Sequence, residues 1–181
     1  AEGSLACLIR PQPDGPAFFP DLAGRTVLQV GAGGAGRAVA SALLPTLESG
    51  TLLLANRTQA TAEELALAID ASGRRVRVVA ESDLARVAPE VDLVINASTC
   101  GQAGFFHGAD GLMTCLEPYS PLGPAHPARI DPSTTPSESE RWQRWYLTSL
   151  PDLRENELRA SDVLARLQSE RSFFDLVYAP A

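Results

Sequence analysis

The sequence predicts an α/β fold, a doubly wound parallel sheet followed by an irregular, partly helical C-terminal excursion. Three observations predict it. Short apolar, β-branched runs alternate with helical segments through the first half, a glycine cluster stands at the first strand-to-helix junction, and the second half is rich in Gly, Pro and Ser before order resumes. Strands alternating with helices of this length build parallel sheets through right-handed crossovers.

The run TVLQV, Thr26 to Val30, reads as a buried strand that ends at Gly31. From Gly34 to Leu47 apolar residues recur at helical spacing, with Pro45 late enough to kink only the last turn and Ser49-Gly50 closing the segment. TLLLA, Thr51 to Ala55, is the second strand, and an Ala/Leu/Glu-rich helix from about Ala60 to Ala71 follows it. VRVVA (Val76 to Ala80), a short helix around Asp83 to Val87 and DLVIN (Asp92 to Asn96) complete this half. Residues 101–138 read as a long, partly mobile loop. A short helix over Ser139 to Leu147 carries Trp142 and Trp145, a second helix runs from Ser161, as N-cap, to about Glu170, and FFDLVY (Phe173 to Tyr178) is the last strand.

Composition narrows the function. The chain has 22 acidic and 15 basic residues, a net charge of −7, and its basic residues are scattered, so no nucleic-acid partner is expected. No apolar run approaches the roughly 20 residues that span a bilayer, which points away from a membrane and toward the cytoplasm. Cys7, Cys100 and Cys115 lie far apart without a C-x-x-C pair and read as reduced thiols; His107 and His126 lack neighbours at ligand spacing, so no metal site is expected. The chain contains no lysine, and any chemistry that needs a tunable amine must come from elsewhere.

The strongest motif is GAGGAG, formed by Gly31, Ala32, Gly33, Gly34, Ala35 and Gly36, which satisfies G-x-G-x-x-G directly after a strand and at the opening of a helix. This is the phosphate-binding turn of a Rossmann-type unit: Gly31 allows the tight turn, Gly33 lets a pyrophosphate meet the backbone, and Gly36 lets helix and sheet pack closely. Free N–H groups at the helix start face the phosphates. The second strand ends in Asn56-Arg57-Thr58 where an NAD-binding unit usually has Asp or Glu. Arg57 is a permanent, planar cation suited to a 2′-phosphate, flanked by neutral hydrogen-bonding groups, so the expected cofactor is NADP(H). The polar turn Asn96-Ala97-Ser98 at the end of the fourth strand would border the nicotinamide side of the same cleft.

GAGGAGRA, then ANRT with AEELA after it, then DLVINAS, then DLVY before a proline resemble, in this order, the cofactor domain of the shikimate and quinate dehydrogenases. Upstream, Gln12-Pro13-Asp14-Gly15-Pro16-Ala17-Phe18 is similar to that family's N-T-D-G-x-G-F segment. The resemblance implies that Asp14 is the aspartate that pairs with a catalytic lysine and holds a substrate hydroxyl, that Tyr178 lies near the substrate, and that Leu176 makes a backbone contact to the cofactor. It also implies an NADPH-dependent reduction of 3-dehydroshikimate to shikimate, with a shikimate-like hydroxy acid as the small-molecule partner. Departures stand beside it: Gln12-Pro13 replaces N-T, Thr61 falls where a second basic residue often completes the phosphate clamp, and Gln102 stands in place of Met.

Residues 1–24 are accordingly expected to be a lead-in from a substrate domain, and residues 25–181 the NADP-binding domain, interrupted by a long insertion at about 101–172. The lysine-bearing part of the pocket has no counterpart in this sequence. The chain is therefore expected to be part of a longer polypeptide or a homodimer, inactive by itself. Two other readings are a non-catalytic NADP(H)-binding regulatory module and a cofactor domain like that of glutamyl-tRNA reductase, which shares the glycine loop and the A-N-R-T strand end.

Overall fold

The computed structural model describes residues 19, 21–134, 137–167 and 172–176. The elements run β1 (Thr26–Val30), α1 (Gly34–Thr46), β2 (Thr51–Ala55), α2 (Gln59–Ile69), β3 (Val76–Val79), α3 (Leu84–Val87), β4 (Leu93–Asn96), β5 (Phe105–His107), β6 (Met113–Cys115), α4 (Glu138–Arg166) and β7 (Ser172–Asp175). The strand order of the main sheet is β3-β2-β1-β4-β7, with every pairing parallel. Chain direction across the sheet reverses beside β1: β2 and β3 lie to one side and β4 and β7 to the other. The carboxyl ends of β1 and β4 therefore frame the switch point at which such sheets take ligands.

Alternation along the strands divides the core into two layers. Val27, Leu52, Leu54, Leu93 and Ile95 pack under α1 and α2 with Leu43, Leu47 and Leu65. Leu28, Leu53 and Val94 pack on the opposite face with Leu84, Val87, Ala160 and Val163 of α3 and α4. Complete burial of such leucines stabilises by about 1.5–3 kcal/mol apiece, and this two-faced burial explains why the strands read as continuous apolar runs.

The first half follows the sequence reading closely, and the second half departs from it. The two helices expected at 139–147 and 161–170 are one helix of 29 residues, α4. Ser161 is an exposed residue inside it, and the N-cap is Ser137, whose side chain accepts from the Glu140 amide in a capping box. Pro151 lies within α4 and removes one helical hydrogen bond. One face nevertheless continues across it as Trp145, Ser149, Asp152, Asn156, Ala160 and Val163, a spacing of three and four residues throughout. The face is apolar at its ends and polar in the middle, so apolar periodicity stops at its centre.

Nor is the stretch from 101 to 138 a featureless loop. β5 and β6 form an antiparallel hairpin, Met113 bridges to Ile130, and a third core gathers Met113, Cys115, Tyr119, Ile130 and Trp145. The last described strand is Ser172–Asp175; of the strand expected over 173–178, Leu176 lies beyond its end and residues 177–178 fall outside the described residues. No described helix is long and apolar enough to cross a membrane.

Candidate functional site: a glycine-loop cleft at the switch point

The site begins with the turn between β1 and α1. Gly31 has φ 103°, and a Cβ there would meet the Ala97 carbonyl at 2.5 Å and the Ser98 nitrogen at 2.6 Å. Only glycine accommodates both the conformation and the approach of the β4 turn. A Cβ on Gly36 would press into the Gly31 carbonyl, so this glycine allows the helix to close on the strand. Gly33 and Gly34 differ: a Cβ on either would meet nothing within 4 Å. Their backbone faces open space at the start of α1, whose first N–H groups lack helical partners.

Two side chains fix this turn. Gln29, fully buried on β1, donates from Nε2 to the carbonyls of Gly31 and Gly36, both at 2.9 Å. Asn56, at the end of β2, accepts from the Ala32 amide at 3.0 Å and donates to the Thr58 carbonyl at 2.9 Å. Arg57 extends from the same strand end, exposed and without an ion pair among the described residues.

The turn after β4 forms the opposite lip. Asn96 is buried; its amide nitrogen donates to the Cys100 carbonyl at 3.1 Å and to Asp175 at 3.0 Å, and its oxygen accepts from the Ser98 amide and hydroxyl. Asn96 thus shapes the turn, while Ala97 and Ser98 border the cleft. Leu176 borders it too, and its amide donates to the Asn96 carbonyl at 3.0 Å. Burial, the larger influence, pushes the Cys100 thiol up against the lowering effect of Ser98.

These parts enclose a cavity of about 360 Å³. Gly31, Gly33, Gly34, Ala35, Asn56, Arg57, Thr58, Ala97, Ser98 and Leu176 line it, whereas Ala32, Gly36 and Asn96 stand behind it and hold its shape. Asp14 and Tyr178 lie outside the described residues. Other lining residues were not legible in the sequence: Glu81, just beyond β3, and Leu116, Pro121 and Ala125 of the excursion. Glu81 carried one usable signal, its place at the carboxyl end of a parallel strand. Gln29 carried another, as the polar residue within an otherwise apolar strand. The three excursion residues carried none, because long-range packing alone brings them there.

The residues present fit a dinucleotide. A Cβ on Gly33 would occupy the open side of the loop, where a pyrophosphate would meet backbone N–H groups, and Arg57 stands at the β2 end without an ion pair within 4 Å among the described residues. Fold and cleft together define a Rossmann-type α/β unit with a glycine-loop site at its switch point. The model of the shikimate / quinate 5-dehydrogenase family matches residues 16–108, just over half of the chain. The protein belongs to that family of oxidoreductases.

Individual relatives agree. The chain is 47% identical over 77 residues to the shikimate dehydrogenase (NADP(+)) of Alteromonas mediterranea, covering 42% of this chain and 26% of that protein. It is 41% identical over 105 residues to the enzyme of the same name from Moorella thermoacetica, covering 52% of this chain and 35% of that one. Among solved structures, quinate dehydrogenase from Corynebacterium glutamicum in complex with NAD is 33% identical, with 46% of this chain and 30% of that chain covered and a TM-score of 0.42. The chain thus spans about a quarter to a third of the length of the curated relatives it matches.

Proposed function

We propose that this chain is the NADP(H)-binding part of a shikimate dehydrogenase-type oxidoreductase that interconverts 3-dehydroshikimate and shikimate. The observation that carries the reading is the open glycine loop facing Arg57 across one cleft, in a chain of this family. Arg57 offers the 2′-phosphate a charge-assisted, bidentate partner that a carboxylate at this position would repel. When bound, the reduced nicotinamide supplies the hydride for the ketone carbon, and the ketone oxygen takes up a proton.

The chain's own residues bind and orient. Gln29 and Asn56 hold the loop so that its N–H groups converge on the pyrophosphate, and the Ala97-Ser98 turn with Leu176 closes the side on which the reaction takes place. Asp14 supplies the carboxylate that works with a lysine, and Tyr178 borders the substrate. No lysine occurs in this chain, so on this reading the pair is completed by another part of a longer polypeptide.

Steady-state NADPH oxidation with 3-dehydroshikimate tests the proposal. The 181-residue chain is expected to bind NADPH without measurable turnover. In the longer polypeptide Asp14→Asn should lower kcat by about a hundredfold or more at unchanged cofactor affinity. Robust turnover by the chain alone would show that the active site is misassigned. A longer polypeptide that binds NADPH yet is inert to shikimate, quinate and their ketones would support a regulatory module instead.

A further inference from the structure

The outer end of the cleft, beyond Arg57, is built by residues that the glycine-loop reading does not use. Glu81 begins the turn after β3, the strand beyond β2, so it stands farther from the pyrophosphate site than Arg57 does. Glu81 lines the cavity and is partly buried, and its side chain makes no hydrogen bond or ion pair within 4 Å among the described residues. Burial raises its pKa, while the charges that face it, His126 and Arg57, act in the opposite direction; Cys100 is its other titratable neighbour. Leu116, Pro121 and Ala125 line the same cavity as an apolar surface.

That surface is fastened from behind. Asn156 of α4 is buried; it accepts from the Ser120 amide at 2.9 Å and donates to the carbonyls of Ser120, Gly123 and Pro124 at 2.9–3.1 Å. Asp152 accepts from the His126 amide at 2.8 Å, and Ser149 from that of Ala128 at 3.0 Å. The polar middle of α4 therefore holds residues 120–128 in place as one side of the cleft. An acceptor without a hydrogen-bonding partner, in one cleft with an apolar surface, suits a planar heterocycle that carries an exocyclic amino group. A dinucleotide whose pyrophosphate lies on the glycine loop and whose ribose lies at Arg57 would bring its adenine to this end.

We propose that Glu81 reads the adenine amino group of the cofactor, with Leu116, Pro121 and Ala125 as the surface against which the ring lies. The inference rests on the NADP(H) reading of the cleft and makes the excursion part of the cofactor site. Adenine donates from its amino group to the carboxylate; hypoxanthine presents a carbonyl oxygen at the same position, which a carboxylate repels and leaves unpaired.

Calorimetric titration of the chain with NADPH and with its hypoxanthine analogue tests this. The wild type should bind NADPH about tenfold or more tightly than the analogue, as expected for a hydrogen bond to a charged group. Glu81→Gln, whose amide serves either base, should bring the two affinities to within about threefold, and Glu81→Leu should remove the preference. A purely structural or electrostatic role for Glu81 would change both affinities together and leave their ratio intact, and that outcome would overturn the assignment. Tight but equal binding of both nucleotides by the wild type would overturn it while leaving the cofactor reading standing. Binding of neither would end the cofactor reading and this inference with it.

Discussion

Gly31 and Gly33 share a motif but meet different constraints. The first is held by its positive φ and by the backbone of the β4 turn, the second by space that stays open. Gly31→Ala is accordingly expected to destabilise the fold, by about 1–3 kcal/mol from the backbone conformation and more from the contact. Gly33→Val should leave thermal unfolding nearly unchanged and abolish NADPH binding, measured by calorimetry. Normal affinity in the valine variant would reduce the loop to a plain turn. Sequence spacing placed these glycines at the strand-to-helix turn because the motif encodes backbone geometry at short range. It could not reveal that Gln29 braces them, since a buried glutamine in a strand is interpretable only once its partners are known. Asp70 gives a residue-scale test of stability. The Ser72 hydroxyl, then the Arg75 amide, hold its carboxyl down at about 2, below the ordinary value of about 3.9. The folded pKa is depressed, so this carboxylate stabilises the protein above the unfolded pKa and ceases to do so as pH falls through about 2. Asp70→Asn should therefore lower Tm at neutral pH, with the difference from wild type shrinking as pH falls from about 4 to 2; a gap that stayed constant with pH would refute the assignment.

Among the elements, α4 has the most consequence for the site. Its buried face continues through Pro151 because apolar contacts anchor it at both ends and a folded loop satisfies its polar middle. Apolar periodicity does not join its two ends, because Pro151 and the polar Ser149, Asp152 and Asn156 interrupt the apolar face. The same residues were uninterpretable without the loop that they bind. Asn156→Leu would leave the Ser120, Gly123 and Pro124 carbonyls without their donor, and should cost about 3 kcal/mol. Trp145, fully buried against Phe105, Trp142 and Tyr119, should cost about 3–5 kcal/mol on replacement by Ala. In both variants hydrogen exchange should speed up in residues 112–130 more than in β1 and β2. Uniform acceleration across the sheet would mean that the excursion and the sheet unfold as one unit.

For the whole molecule, the parallel sheet was legible because each strand is a short, doubly buried run bounded by turn residues, and the glycine motif marked the junction at which the cleft lies. Order within 101–137 was not, since its core depends on contacts with a helix that follows it in sequence. The residues named around the glycine loop and the ends of β2 and β4 lie in the cleft or directly behind it, while Asp14 and Tyr178, named from the family resemblance, lie outside the described residues. The central claim is that the cleft between β1, β2 and β4 takes NADP(H) through Arg57, and titration of the 181-residue chain with NADPH and NADH tests it most directly. A charge-assisted phosphate contact is worth about 1.5–3 kcal/mol, so NADPH should bind roughly ten- to a hundredfold more tightly, and Arg57→Ala should remove that advantage without weakening NADH. Equal affinity of the wild type for the two cofactors, or an advantage that survives Arg57→Ala, would contradict the account.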